Sequence, residues 1–232
     1  MSTVETATLR RTLPLLIEGQ RLGRSEFHER YKAMPPETRA ELIGGVVYMG
    51  SPVGFEHGKR DGDVVDWLGY FKRSTAGVER PLNATAQFED YGEPQPDSQL
   101  IIPGDLGGRT RIVGGYIVGP PELVVEVAHS TRMKDLGPKK LDYERAGVAE
   151  YVFVGIDPDE VRWFVLRGGQ FVDLPPGPDG ILRSDVFPGL WLDPAALLAR
   201  DMERVYRVLD RGLETLEHAA FVARLSAAMV RP

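Results

Sequence analysis

The sequence predicts an α/β fold, a mixed central sheet flanked by helices, and three neighbouring stretches carry that reading. Leu123 to Val127 is an apolar, valine-rich run of strand length. Asp135 to Ala146 has the period of a helix and stops at Gly147, where a left-handed C-terminal residue is expected. Tyr151 to Ile156 is a second apolar run. Strand, helix, strand over residues 119–158 reads as a βαβ unit, with parallel strands and a right-handed crossover.

The other elements follow in order. Residues 1–24 form an N-terminal extension without a clear pattern. Ser25 to Met34 reads as a short helix ended by Pro35-Pro36, with a further helical turn at Glu37 to Arg39. Glu41 to Met49 is a hairpin turning at Gly44-Gly45. Ser51 to Gly58 is a loop near whose end His57 stands. Residues 59–74 form an amphipathic helix with Val64, Val65, Leu68 and Phe71 buried and Trp67 at the border. Strands are expected at Val78 to Asn83, Thr85 to Tyr91 and Asp97 to Ile102, and an inserted hairpin at Arg111 to Val118. The glycines of residues 103–120 are not a phosphate loop, because no Lys-Ser/Thr follows them. Strands Val161 to Leu166, Gln170 to Leu174, Ile181 to Val186 and Leu190 to Leu192 come next. Residues 25–193 thus make one domain, and 194–232 a C-terminal helical extension with helices at Ala195 to Leu209 and Glu214 to Met229.

Composition narrows the function. Among 232 residues there is no cysteine, so disulfides and thiolate zinc sites are excluded. No apolar run reaches membrane-spanning length and the N-terminus lacks a signal-peptide layout, so a cytoplasmic protein without membrane attachment is expected. The net charge of −6 is unlike that of a non-specific DNA-coating domain. An acidic body can still carry a local basic groove, and the basic stretches are Lys72-Arg73, Arg109 with Arg111, and Arg132 to Lys140.

Glu126 is the anomaly. A strand covered on both faces should not carry an ionised carboxylate unless it is paired or metal-bound. It is either an ordinary buried glutamate satisfied by a cation or amide, or a metal-holding or catalytic group. Asp97, at the mouth of another strand, and Lys139 with Tyr143, four apart on one helix face, favour the second reading.

Taken together, Pro96-Asp97, Pro121 to Val127, Asp135 to Lys139, Tyr143, Gly147-Val148 and Glu150-Tyr151 resemble the Uma-two family of restriction-endonuclease-like proteins, in the PD-(D/E)XK nuclease superfamily. Glu41 to Met49 and His57 also match, so the resemblance spans roughly residues 25–170. One departure from the superfamily pattern stands out. Ala128 occupies the position where a lysine would follow Glu126 on the strand, and the family spacing assigns that role to Lys139 rather than Lys134 or Lys140.

The resemblance implies a restriction-endonuclease-like core and metal-dependent hydrolysis of DNA. Asp97 and Glu126, with the Val127 carbonyl, would hold Mg²⁺ or Mn²⁺. Lys139 would assist the attacking water, Glu41 would add a carboxylate, and His57 would stand nearby in an unassigned role. Tyr143 would bond Lys139 or a phosphate, or simply pack. Lys139→Ala is expected to leave fold and metal affinity nearly intact while cleavage falls by about two or more orders of magnitude. Cutting two strands implies a homodimer, with the C-terminal helices as the contact. The alternatives are a catalytically silent nuclease-fold protein that binds nucleic acid or a protein partner, and a hydrolase using the same carboxylates on another substrate.

Overall fold

The structure is a computed structural model that describes residues 13–89 and 91–230. The first twelve residues of the expected N-terminal extension, and Asp90 within the expected strand 85–91, lie outside that range.

The βαβ unit is the centre of the molecule. Strand β7 (Leu123–Ala128) pairs in parallel with β8 (Glu150–Ile156) and is buried along its whole length. Antiparallel partners extend the sheet on both sides: β4 (Ser98–Leu100) beside β7, and β9 (Asp159–Arg167) then β10 (Gln170–Asp173) beyond β8. The spatial order β10-β9-β8-β7-β4 is a mixed sheet, as expected. The segment before β4 covers its outer edge by isolated bridges, Glu79 to Ile101 and Leu82 to Ser98. The expected strand 78–83 is reduced to these bridges. Pro81 has no N–H to give to a ladder.

Alternation along the strands splits the core. On one face Leu123, Val125, Val127, Val152 and Val154 meet Val64, Trp67, Leu68 and Phe71 of α2 (Phe55–Ser74). The expected border residue Trp67 is fully buried and donates its Nε1–H to the Trp191 carbonyl at 3.0 Å. Val65 is only half-buried, since the 64, 67/68, 71 stripe passes it by. The helix starts four residues earlier than expected, so His57 lies in its first turn rather than in a loop.

The C-terminal region packs on the same core. Here α5 (Pro194–Ala199), α6 (Met202–Leu213) and α7 (Leu216–Met229) insert Leu197, Val205, Leu209, Phe221 and Leu225. The expected helix 195–209 is two helices, because Arg200 takes a left-handed φ of 59° and Asp201 caps α6 through the Arg204 N–H at 3.0 Å.

The other sheet face carries Val124, Ala128, Tyr151, Phe153 and Phe164 against a bent helix. That helix runs through α3 (Arg132–Lys134), a π-type turn at Asp135–Lys139 with Gly137 and Pro138, and α4 (Lys140–Ala146). It begins three residues before its expected start, with Thr131 at the N-cap position, and Gly147 closes it at φ 84°. Its buried stripe is polar: Asp135, Lys139 and Asp142 accompany Tyr143.

The hairpin of β1 (Ala40–Ile43) and β2 (Val46–Met49) turns at Gly44-Gly45 with φ of 57° and 75°, values that favour glycine. It packs with α1 (Arg24–Lys32) through Phe27, Leu42 and Val47. The Gly44 N–H is held by Asp142 at 2.5 Å, which docks the hairpin onto α4. The inserted hairpin, β5 (Arg111–Val113) and β6 (Tyr116–Val118), joins β3 (Ala86–Gln87) in a small separate sheet. A last two-stranded ladder pairs β11 (Leu182–Arg183) with β12 (Trp191–Leu192). Among the described residues no helix is long and apolar enough to cross a membrane.

Candidate active site

Glu126 is 3% exposed, and its Oε1 accepts two bonds, from the Tyr143 hydroxyl at 2.5 Å and the Lys139 ammonium at 2.8 Å. Lys139 also reaches Glu41 Oε1 at 2.7 Å. Glu41 in turn accepts from the Gln95 N–H at 2.8 Å and pairs with Lys134 at 3.1 Å. Asp97 immediately precedes Ser98, which pairs with Val125, so the register sets Asp97 opposite Glu126. Its Oδ2 accepts from the Val127 N–H at 2.8 Å. Thus β4, β7, the π-type turn and the β1–β2 hairpin each deliver one member of a single cluster.

The charges do not balance locally. Glu41, Asp97, Glu126 and Asp135 face two ammonium groups, Lys134 and Lys139. Burial and the repulsion of Asp97, Asp135 and Glu41 raise the Glu126 carboxyl well above its usual range, against the pull of Lys139. Burial likewise raises Asp97 and Asp135, again against Lys139. Glu41 goes the other way, to about 2: burial opposes ionisation, but Lys139, Lys134 and the Gln95 N–H outweigh it. Burial also works against the Lys139 ammonium, yet Glu126, Glu41, Asp135 and Asp97 together hold its pKa well above normal. The cluster therefore keeps a charged lysine beside a readily ionised Glu41, while Glu126, Asp97 and Asp135 resist ionisation together.

Asp97, Glu126, Lys139, Glu41 and Tyr143 are brought together from four stretches of the chain: β1, the residue before β4, β7 and the bent helix. Tyr143 differs from its expected contacts: its hydroxyl donates to Glu126, because the 139/143 stripe faces β7 directly. Val127 meets Asp97 through its N–H. His57, in the first turn of α2, is close enough to pull the Asp97 carboxyl down against burial. Lys140 turns away and lies 4.5 Å over the Phe164 ring.

Sequence reasoning missed three members. Lys134 pairs with Glu41 and was set aside as a near neighbour of Lys139. Asp135 belongs to the matched motif but is given no role in the site from the sequence, although the charged stripe 135, 139, 142 on a helix that must pack against a sheet is a visible signal. Asp61 of α2 has its carboxyl raised to about 6 by burial and by Asp97, with His57 and Arg80 opposing. No sequence pattern marks it.

Comparison with known proteins agrees with this architecture. A family model described as "Uma2: Putative restriction endonuclease" matches residues 24–195, most of the chain. The chain belongs to the Uma2 family. Among solved structures it is similar to a protein described as a "putative nuclease belonging to DUF820" from Anabaena variabilis ATCC 29413. That likeness has a TM-score of 0.53 and 12% identity, and it covers 78% of this chain and 97% of the other. At that identity the likeness speaks for the α/β fold alone. No curated protein matches the chain.

Proposed function

We propose that this Uma2 protein is a divalent-metal-dependent endodeoxyribonuclease. The observation that carries the reading is Lys139, a buried charged ammonium bridging Glu41 and Glu126 while Asp97 stands across the strand pair. A purely structural glutamate needs one cation or amide, not a second carboxylate facing it across two strands.

The donor set fits Mg²⁺ or Mn²⁺. Asp97 and Glu126 each commit one oxygen to the protein, and the other makes no hydrogen bond among the described residues. Among those residues no three His, Cys, Asp or Glu side chains form a ready-made cage. That suits Mg²⁺, which keeps waters and substrate phosphate oxygens in its shell and takes one or two carboxylates from the protein. A cation held there would draw the raised Asp97 and Glu126 carboxyls into their ionised forms. The Val127 carbonyl, next along the strand, is the third proposed ligand. A bound cation would supply charge for the scissile phosphate and lower the pKa of a water.

The chain's own residues do the rest. Lys139 orients the attacking water and offsets negative charge developing on the phosphate. Tyr143 holds Glu126 Oε1, which leaves Oε2 for the metal. The Val127 N–H fixes Asp97 in the same way. Glu41, itself paired with Lys134, anchors Lys139, and His57 flanks Asp97. The substrate is DNA. We further propose a homodimer joined through the C-terminal helices, where Leu216 and Val230 remain exposed beyond the packed faces.

Calorimetric titration with Mn²⁺ tests the metal reading. Wild type should bind, and Asp97→Ala and Glu126→Ala should each lose binding. If both variants bind as wild type does, the cation site is elsewhere.

A further inference from the structure

A polar recess of about 260 Å³ opens beside the cluster, lined by Arg39, Asn83, Thr85, Gln95, Tyr116 and Glu37 among others. It shares its wall with the active site. The Asn83 N–H donates to the Asp97 carbonyl at 3.2 Å, and the Gln95 N–H donates to Glu41 at 2.8 Å. Two of its lining residues thus hold members of the cluster, Asp97 through its backbone carbonyl and Glu41 through its carboxylate.

Its chemistry differs from that of the cluster. The lining offers amides, hydroxyls and a phenol, with Glu37 as the acid among the residues named. Arg39 is exposed, and among the described residues its guanidinium has neither an ion pair nor a hydrogen bond, unlike Arg24, Arg30, Arg60 and Arg109. Asn83 holds a left-handed φ of 49°, a conformation that Asn adopts more readily than other residues with a β-carbon. Gln95 gives its Nε2 to Tyr31 and the Ala40 carbonyl, which fixes the amide and turns its oxygen into an available acceptor. The size sets one bound on the ligand. At about 30 Å³ of liquid volume per water, the recess holds the equivalent of roughly nine waters. That is more than a bare phosphate needs and far less than a duplex.

We propose that this recess is a subsite for the nucleotide adjoining the scissile phosphodiester, with Arg39 on its phosphate and Asn83 and Gln95 on its sugar or base edge. The proposal rests on the nuclease reading for its meaning, but its binding test does not depend on cleavage.

The probe is a fluorescein-labelled thymidine oligonucleotide, followed by anisotropy with Ca²⁺ as a non-catalytic cation. Arg39→Glu should weaken binding about tenfold or more, the scale of one charge-assisted phosphate contact. Asn83→Gly, which keeps the left-handed backbone, should weaken it roughly fivefold, as loss of one hydrogen-bonding side chain does. Lys32→Glu, the same charge reversal on an exposed residue outside the recess, should cost less than about twofold if only long-range charge is at work. Thymidine monophosphate should compete with the oligonucleotide, and inorganic phosphate should compete much less.

Equal losses in Arg39→Glu and Lys32→Glu, or unchanged affinity in Arg39→Glu and Asn83→Gly, overturn the subsite. Equal competition by inorganic phosphate overturns its nucleoside part, and no oligonucleotide binding by wild type overturns it altogether. Plasmid cleavage separates the two readings. If wild type cuts while the recess variants bind normally, the nuclease reading stands alone. If binding depends on the recess but nothing is cut, the subsite stands alone.

Discussion

Lys139→Ala should unsettle the metal-free protein and be rescued by metal. At the level of sequence the substitution is expected to spare the fold. The structure revises that expectation, because Lys139 is 2% exposed and bridges two carboxylates. Removing one partner of a buried ion pair costs about 3–5 kcal/mol. For a chain of this length each kcal/mol lowers the melting temperature by about 2–4 °C. Melting in EDTA should therefore fall by roughly 6–20 °C. Protonation of Glu126, already raised by burial, relieves part of the loss at low pH. Without the ammonium, Glu41 and Glu126 both ionise harder in the folded than in the unfolded chain. Carboxyls raised on folding favour the fold at low pH and lose that contribution as pH rises, so the deficit should widen above the ordinary carboxyl value of 4.5. Mn²⁺ should bind the variant more tightly than wild type, since a nearby positive charge is gone, and should restore most of the melting temperature. Differential scanning calorimetry in EDTA and in Mn²⁺ measures both effects, and Lys139→Ala/Glu126→Gln should be less destabilised than Lys139→Ala alone. A variant that melts with wild type in EDTA at pH 8 would refute the compensation argument.

Three other outcomes follow from the same geometry. Tyr143→Phe leaves Glu126 Oε1 with Lys139 alone, and should cost about 1–3 kcal/mol in denaturant melts and lower kcat about tenfold with KM for DNA unchanged. Glu150, buried and raised to about 7 by burial despite bonds from Ser184, Asp185 and Val186, makes the fold lose stability as pH rises from 4.5 through 7. Glu150→Gln should flatten that slope in urea titrations at several pH values. Light scattering at tens of micromolar should give a dimer mass, and Leu216→Glu with Val230→Glu should shift it toward a monomer.

How much of this was legible in the sequence depended on how local the signal was. The βαβ unit, the β1–β2 hairpin and the inserted hairpin declare themselves through apolar runs, a helical period and Gly-Gly turns, all within a few residues. Glu126 was conspicuous as a charge inside an apolar strand and Asp97 as one at the mouth of another, while Glu41 and the choice of Lys139 were implied by the family resemblance. Asp61 was not legible, because its approach to Asp97 depends on how α2 crosses the sheet. The boundary errors have particular causes: a start four residues early in α2, a left-handed Arg200 that splits one helix, and Pro81 that empties a strand of its ladder. Trp67 and Val65 exchanged roles because a one-residue step on a helix rotates a side chain by about 100°.

The most direct test of the account is cleavage of supercoiled plasmid DNA, run below every variant's melting temperature. Wild type should nick and linearise DNA in Mg²⁺ or Mn²⁺ and do nothing in EDTA. Asp97→Ala, Glu126→Ala and Lys139→Ala should each lose about two or more orders of magnitude in rate. Lys140→Ala, whose ammonium lies over Phe164 away from the cluster, should keep most of it. Cleavage that persists in EDTA, or that survives Lys139→Ala and disappears in Lys140→Ala, would contradict the assignment.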